Sequence, residues 1–205
     1  MDENLARSLR LLLVTDDRFM VDDEPVARIA AAVRGGVTAV QLRLKLAREH
    51  DFLALARRLV SELPVPVLIN DRLDIALASG AAGVHLGTDD LAPRLARAVV
   101  PAGFIVGASV GSPDEVPRGA SADYWGIGPL RTTLTKTDAG PALGWDAAGN
   151  LLSQSGKRPC VLIGGVLPAD VAEALNRGYA GVAVASGILG AADTGAAAAA
   201  YRTTG

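Results

Sequence analysis

The sequence predicts an α/β fold, a single compact (β/α)8 barrel of the TIM type over residues 1–205, and three observations support this. Eight short apolar runs recur along the chain, each followed by a helical stretch or by room for one. Half of the 205 residues are apolar, so the composition can supply a large core. No linker divides the chain, and because about 250 residues is typical of this barrel, its loops must be short.

Each predicted strand is a short apolar run of the kind found in parallel strands that are buried on both faces. The clearest run is Val65-Pro-Val-Leu-Ile-Asn-Asp71, in which apolar residues lead directly into Asn70 and Asp71. The predicted strands are residues 11–14, 39–43, 65–71, 84–86, 104–108, 124–127, 160–163 and 182–185.

The predicted helices lie between these runs, and several carry their own start or stop signals. Gly35-Gly36 ends the first helix, Gly80 and Gly178 close two others, and Pro93 lies in the first turn of a fourth. A polar loop over residues 128–144 is long enough to be a functional candidate. The predicted helices are residues 25–34, 49–63, 72–79, 91–99, 113–121, 146–153, 168–176 and 191–201.

Composition narrows the location and the partners. The formal net charge is −2 and no basic block is present, so nucleic acid is not expected as a partner. Cys160 is the one cysteine, which excludes an internal disulfide and makes a reducing cytoplasm the simplest location. The chain starts without the apolar segment of a signal peptide, and no apolar run approaches the roughly 20 residues of a membrane helix. The oligomeric state is left open.

Polar residues follow the predicted strands at the end where barrels of this type have their active sites. A single such coincidence would mean little, but a series in chain order is hard to assign to chance. The series is Arg43 and Lys45 after the second strand, Asn70 and Asp71 after the third, Asp90 beyond the fourth, Ser109 after the fifth, Thr133, Thr135 and Lys136 after the sixth, Gly164 and Gly165 after the seventh, and Ser186 and Gly187 after the eighth.

The acidic and basic members of this series predict a metal-assisted anion site. Asp71 and Asp90 suit Mg²⁺, which is commonly held by one or two carboxylates together with substrate phosphates. Arg43, Lys45 and Lys136 add cationic groups, and with the metal they are sufficient for a diphosphate.

A second and weaker anion site is expected after the seventh and eighth predicted strands. The turn at Gly164-Gly165 lets backbone N–H groups approach a phosphate, and Ser186 adds a hydroxyl. No activated Ser–His or Cys–His pair is expected from the sequence.

Several short motifs occur in order along nearly the whole chain. The specific ones are Val40-Gln-Leu-Arg-Leu-Lys45, Ile69-Asn-Asp-Arg72, His85-Leu-Gly-Thr-Asp-Asp90 and Thr133-Leu-Thr-Lys136. Together these motifs resemble the thiamine phosphate synthase family, which is related to the thiazole tautomerases.

The resemblance implies a Mg²⁺-dependent transferase. Such an enzyme joins hydroxymethylpyrimidine diphosphate to thiazole phosphate and gives thiamine phosphate and pyrophosphate. By this resemblance the pyrimidine diphosphate is bound by Gln41, Arg43, Lys45, Asn70, Ser109 and Lys136, of which Arg43, Lys45, Ser109 and Lys136 are the predicted catalytic residues. Asp71 and Asp90 would hold the metal, and Thr133, Thr135, Gly165 and Ser186 would bind the thiazole phosphate.

Two positions depart from the family pattern. Leu44 stands where the family usually has an acid, and Gly111 stands near a place where it tends to have a histidine. These departures leave two alternatives open: a metal-independent isomerase of the tautomerase type, and a non-catalytic paralogue that binds thiazole or thiamine phosphates. The presence of Asp71 favours the synthase.

Simpler structural roles are also open for individual residues. Asp71 and Asp90 could be helix N-caps, and the basic residues could be solvated loop charges. His85 lies inside an apolar strand and is either a hydrogen-bonded core histidine or a substrate contact. Tyr124 and Trp125 are adjacent on one strand, so one of them should face the barrel interior and the other the helices.

Overall fold

The computed structural model describes residues 3–20, 24–132 and 140–202, and these form a closed barrel of eight parallel strands. The strands follow one another around the barrel in chain order, and the last pairs with the first. They are β1 (Leu11–Val14), β2 (Ala39–Leu42), β3 (Val67–Asn70), β4 (Gly83–Leu86), β5 (Ile105–Val110), β6 (Tyr124–Ile127), β7 (Cys160–Ile163) and β8 (Gly181–Val184). The predicted (β/α)8 barrel is confirmed.

Helices separate the strands along the chain and pack around the barrel. They are α1 (Glu3–Ser8), α2 (Pro25–Gly35), α3 (Glu49–Glu62), α4 (Leu73–Ser79), α5 (Pro93–Arg97), α6 (Val116–Gly119), α7 (Gly144–Ser153), α8 (Asp170–Asn176), α9 (Ser186–Leu189) and α10 (Thr194–Ala200). Short 3₁₀ turns occur at Asp17–Phe19 and Pro113–Glu115. Within the described ranges, every helix is too short or too polar to cross a membrane.

Differences from the predicted boundaries have local causes. The second strand ends at Leu42 instead of residue 43, because the Arg43 N–H donates to the Thr15 side chain at 2.8 Å. The last helix begins at Thr194, where the Asp193 carboxylate caps it by accepting from the Ala196 N–H at 2.9 Å. These local side-chain bonds decide where each element starts or stops.

Some predicted helices are shorter than expected, and two were not predicted at all. The helix expected over 113–121 is a 3₁₀ turn followed by the four residues of α6, and Pro117 within it has no N–H to donate. The helix expected over 91–99 is reduced to α5. The unpredicted helices α1 and α9 have six and four residues, too few for an apolar period to be visible.

Two layers of core fix the strands. The larger cluster lies between the barrel and its helices, and a smaller one fills the barrel interior with side chains that include Leu12, Leu68 and Tyr124. Trp125 points the other way and its Nε1 donates to the Gly119 carbonyl of α6 at 2.9 Å. The predicted alternation of these two aromatic side chains is confirmed.

Glycine makes room for the large interior ring. A Cβ on Gly107 of β5 would lie 2.3 Å from the Tyr124 ring, so a side chain there would displace it. Because the ring fills this space at the centre of the barrel, its hydroxyl can reach the side chains at the floor of the cavity described next.

Candidate active site

A cavity of about 410 Å³ opens at the carboxyl ends of the strands, the end that carries active sites in this fold. Every predicted site residue that falls in the described ranges lines it: Gln41, Arg43, Lys45, Asn70, Asp71, Asp90, Ser109, Gly165 and Ser186. Thr133, Thr135 and Lys136 lie outside the described residues, so their roles stay predictions. The barrel therefore brings together residues from separate strand ends, as the sequence led us to expect.

Asp71 is held in an unusual backbone conformation. It follows β3 with φ of +64°, in the left-handed region that residues other than glycine seldom adopt. Its N–H donates to the His85 carbonyl at 2.8 Å, and the next N–H, of Arg72, donates back to Asn70 at 2.8 Å. Such strain persists where the surrounding structure fixes it, often at functional sites. It directs the Asp71 carboxylate into the cavity.

Asp90 reaches the same place from the loop after β4. Its Oδ2 accepts from the Gly87 N–H at 2.7 Å, and a Cβ on Gly87 would lie 2.9 Å from that oxygen. Arg118 of α6 fixes the loop by donating to the Gly87 and Asp90 carbonyls at 2.8 and 2.6 Å. Neither Asp71 nor Asp90 is a helix N-cap, since Arg72 and Ala92 occupy those positions before α4 and α5.

The two carboxyl groups lie close enough together to shift each other's pKa. Burial and then the neighbouring Asp71 raise the pKa of Asp90 to about 6. Burial also acts to raise the pKa of Asp71, but the hydrogen bond from Asp90 and the ammonium of Lys45 outweigh it, so that pKa is lowered. Two carboxylates this close repel unless a proton or a cation lies between them.

Basic side chains from the loop after β2 extend the site. The Lys45 ammonium forms an ion pair with Asp71. The Arg43 side chain is only 14% exposed, and its Nη1 lies 3.7 Å from Asp16 Oδ2. Lysine supplies a point charge and arginine a planar fork, and the largely buried Arg43 charge acts more strongly than one on the surface.

Two amide side chains form part of the cavity floor. Gln41 of β2 donates through Nε2 to Asn70 Oδ1 of β3 at 2.7 Å, and both residues are buried. Because each amide uses one atom on the other, Gln41 Oε1 and the Asn70 NH₂ group are set as an acceptor and a donor for a ligand.

A buried chain of polar side chains was not expected. His85 Nδ1 lies 2.8 Å from the Tyr124 hydroxyl, and its Nε2 lies 3.1 Å from Ser109 Oγ. The sequence did not predict this Ser109–His85 contact, which forms because β4 and β5 are neighbours and their register joins residues 24 positions apart. His85 is both hydrogen-bonded in the interior and part of the cavity lining, so the two roles weighed for it coexist.

The Ser109–His85 pair differs from a nucleophilic triad in its third member. Burial raises the pKa of Tyr124 well above its usual range, so the group beside Nδ1 stays a neutral hydroxyl. A carboxylate there would stabilise the imidazolium, and a hydroxyl does so far less. The arrangement suits a fixed hydrogen-bonding surface better than an activated nucleophile.

The turn after β7 brings backbone close to the loop after β6. Gly164 and Gly165 have φ of +89° and +67°. A Cβ on Gly164 would lie 2.5 Å from Pro129 Cβ, and one on Gly165 would lie 2.9 Å from Arg131 Cβ. Glycine is needed at both positions for the conformation and for the space.

Arg131 and Asp170 hold this turn, and their pairing was not predicted from the sequence. The Arg131 guanidinium binds both Asp170 oxygens, at 2.6 and 2.8 Å, and donates to the Gly165 carbonyl at 2.9 Å. The Arg131 N–H also donates to the Gly164 carbonyl at 3.0 Å. The hydrogen bonds from the Arg131 guanidinium lower the pKa of Asp170, so the pair stays charged. The pair ties together the loops after β6 and β7.

The two departures from the family pattern have structural explanations. Leu44, which stands in place of the family's acid, is half-buried and packs its side chain against the apolar core. A Cβ on Gly111 would lie 2.9 Å from the Gly128 carbonyl oxygen, which makes a larger side chain at this position costly. The Gly111 N–H donates instead to Glu115 of the cavity wall at 2.6 Å.

Comparison with known proteins is consistent with this site. A family model described as thiamine monophosphate synthase matches residues 11–188. The chain belongs to the thiamine monophosphate synthase family. The suspected family is thus confirmed.

Individual relatives extend the likeness to the whole chain. A thiamine-phosphate synthase of Xanthobacter autotrophicus is 43% identical over 190 residues, covering 90% of each chain, and one of Syntrophomonas wolfei is 42% identical over 188 residues, covering 89% of this chain and 90% of its own. A solved thiamine phosphate pyrophosphorylase from Pyrococcus furiosus has a TM-score of 0.83 and 33% identity, with 97% and 96% of the chains covered. The predicted class, a transferase of thiamine biosynthesis that acts on small molecules, is confirmed.

Proposed function

We propose that this cavity joins hydroxymethylpyrimidine diphosphate to thiazole phosphate, with release of pyrophosphate and with Mg²⁺ as cofactor. The observation that carries the proposal is that the carboxylates of Asp71 and Asp90 line one cavity together with two cationic side chains, one of them paired with Asp71. The family membership supplies the type of reaction.

The chemistry of the donors at Asp71 and Asp90 fits Mg²⁺. Both offer hard carboxylate oxygens, and their mutual repulsion would be relieved by a divalent cation. A pair of carboxylates is also the number that Mg²⁺ commonly takes when substrate phosphates supply further ligands. Bound there, the metal would neutralise charge that develops on the departing diphosphate.

The basic side chains would act on the same leaving group. Arg43 can donate two parallel hydrogen bonds to phosphate oxygens, and Lys45 can add a third contact. As the bond between the pyrimidine methylene and the diphosphate oxygen breaks, its electron pair goes to the oxygen, and these fixed cations stabilise that charge. Lys136 and Ser109 are proposed as further contacts to this substrate.

The thiazole phosphate would bind on the opposite side of the cavity. Its ring nitrogen then forms the new bond to the methylene carbon, and no protein nucleophile is needed. Gly165 and Ser186 lie in the lining where a phosphate could meet backbone N–H groups and a hydroxyl. Thr133 and Thr135 are proposed to complete this phosphate site.

The Gln41–Asn70 pair would recognise the pyrimidine. Its remaining acceptor and donor match the exocyclic amino group and a ring nitrogen of an aminopyrimidine. The half-buried Ser109 hydroxyl lies at the same wall, held by His85.

A coupling assay tests the proposal. The protein is mixed with both phosphorylated precursors, with Mg²⁺ or with EDTA, and thiamine phosphate and pyrophosphate are measured. We expect both products in equal amounts with Mg²⁺ and none with EDTA. Isomerisation of the thiazole that survives EDTA, without release of pyrophosphate, would favour the metal-independent isomerase, and tight binding without product would favour the non-catalytic paralogue.

A cytoplasmic location is part of the proposal. It depends on the one cysteine, Cys160, which is fully buried in the structure and has a pKa raised by burial to about 11. A thiol of this kind is inert and takes no part in disulfide chemistry.

Arg131→Lys is expected to raise the KM for thiazole phosphate about tenfold while leaving the KM for pyrimidine diphosphate unchanged. Lysine keeps the charge but has no planar fork with which to bind both Asp170 oxygens, so the turn would loosen. Steady-state kinetics with each substrate varied in turn would measure the effect.

A matched control is available on the helix that carries Asp170. Glu173→Gln breaks the exposed pair with Arg177, whose Nε lies 2.7 Å from Glu173 Oε1, and it should change neither KM. Equal changes of both KM values in Arg131→Lys would mean that the turn has no special relation to the thiazole site.

A further inference from the structure

The loop that carries Arg43 and Lys45 has little regular structure of its own. It runs from the end of β2 at Leu42 to the start of α3 at Glu49, and no strand or helix lies within it. Leu46 at its tip is 85% exposed. A backbone of this kind samples several conformations unless other groups fix it. Its two cations nevertheless need defined positions to act on a substrate.

The end of β1 supplies the groups that fix this loop. The β1–β2 ladder continues one residue past the strand, where the Thr15 N–H donates to the Gln41 carbonyl at 3.0 Å. Beyond that point Thr15 Oγ1 takes over, accepting from the Arg43 N–H at 2.8 Å and donating to the Arg43 carbonyl at 2.9 Å. Thr15 is fully buried.

Asp17 makes the decisive contact with the loop. Its Oδ2 accepts from the Lys45 N–H at 2.9 Å, and its Oδ1 accepts from the next N–H, of Leu46, at 3.0 Å. Hydrogen bonds to an ionised acceptor are about twice as strong as neutral ones. One carboxylate thus holds the backbone on both sides of the Lys45 carbonyl.

Asp16 acts on the neighbouring cation. Its carboxylate is almost completely buried and accepts from the Arg18 N–H at 3.0 Å and Arg18 Nε at 2.8 Å. These contacts fix the carboxylate 3.7 Å from the Arg43 guanidinium. At this distance the Asp16 carboxylate attracts the Arg43 guanidinium and orients it, but leaves its N–H groups available to a substrate.

We infer that Asp17 is a positioning residue for the transferase, which holds the loop so that the Lys45 ammonium reaches the diphosphate side of the cavity. Within the described residues, Asp17 is not part of the cavity lining, and it contacts the loop through the Lys45 and Leu46 amides. The inference rests on the proposed function, because it requires Lys45 to bind the diphosphate.

The test compares Asp17→Ala with Asp17→Asn. Alanine removes both acceptors, whereas asparagine keeps one, so the losses should be graded. We expect Asp17→Ala to lower kcat/KM for the pyrimidine diphosphate by about 10- to 100-fold, the range for a displacement of about 1 Å, and Asp17→Asn to lower it less. The KM for thiazole phosphate should be unchanged, which a general loss of structure would not produce.

Asp193→Ala is the matched control. Asp193 also accepts a backbone N–H, that of Ala196, but it caps α10. A comparable fall in melting temperature with unchanged kinetics would show that losing one such acceptor does not by itself affect the reaction. Equal kinetic losses in Asp17→Ala and Asp193→Ala would overturn the inference.

A double-mutant cycle with Lys45→Ala shows whether Asp17 acts through Lys45. If it does, adding Asp17→Ala to Lys45→Ala should cost less than twofold, because the group that it positions is already gone. Full additivity would overturn the inference. Unchanged activity in Lys45→Ala alone would instead contradict the proposed function, so the two failures can be told apart.

Discussion

Asp71→Asn is expected to lower kcat by about 10²- to 10³-fold with the fold intact. The substitution removes one of two carboxylates proposed to bind Mg²⁺ and leaves Lys45 without its ion-pair partner. Asparagine is among the few residues that adopt the left-handed conformation that Asp71 has here, so the backbone should not change. Kinetics over a range of Mg²⁺ concentrations, with thermal unfolding alongside, would measure both effects.

A second readout separates metal binding from catalysis. Binding of Mn²⁺ as a probe, followed by electron paramagnetic resonance without substrates, should weaken in Asp71→Asn. Asp74→Asn is the control, since that carboxylate lies on α4 and pairs with Arg72 at the surface. Near-normal turnover of Asp71→Asn at saturating Mg²⁺ would remove the metal site from the proposal.

The barrel and the members of its site follow from local features of the sequence. Each strand is an apolar run, and Arg43, Asp71 and Ser109 each lie within one residue of the end of one. In a closed parallel barrel all of these ends meet at one rim, so placement on the chain is enough to place them near one cavity.

The contacts among those strand ends could not be predicted in the same way. The Ser109–His85 bond joins residues 24 apart, the Asp17–Lys45 bond 28 apart and the Arg131–Asp170 pair 39 apart. Each depends on the register between neighbouring strands and on loop geometry, which apolar periodicity does not encode.

The position of Asp17 in the sequence indicates a role near the site but does not say which role. The sequence shows Thr15-Asp16-Asp17 directly after the first strand, the same position that drew attention to Asp71 after the third. Acidic residues directly after a strand can be metal ligands, helix caps or partners of loop amides, and the three-dimensional structure is needed to distinguish these roles. In the structure, Asp17 accepts hydrogen bonds from two amides of the loop after β2, those of Lys45 and Leu46.

Arg43→Met is expected to lower kcat/KM for the pyrimidine diphosphate by about 10²- to 10³-fold, the range for loss of one preorganised group that stabilises transition-state charge. The side chain is largely buried, so the positive charge lost acts at low dielectric and is not replaced by water. The kcat/KM of Arg43→Lys should lie between those of Arg43→Met and the wild type, because lysine keeps the charge but lacks the planar fork. Arg48→Met, at the exposed end of the same loop, should be close to wild type.

The relative activities of these variants distinguish an effect of net charge from an effect of the guanidinium geometry. If only net charge mattered, Arg43→Lys would equal the wild type and Arg48→Met would resemble Arg43→Met. If the fork and its orientation matter, the three variants separate, and the loss in Arg43→Met appears in kcat as well as in KM because the contact strengthens as the diphosphate departs. Wild-type kinetics in Arg43→Met would show that the diphosphate binds elsewhere in the cavity.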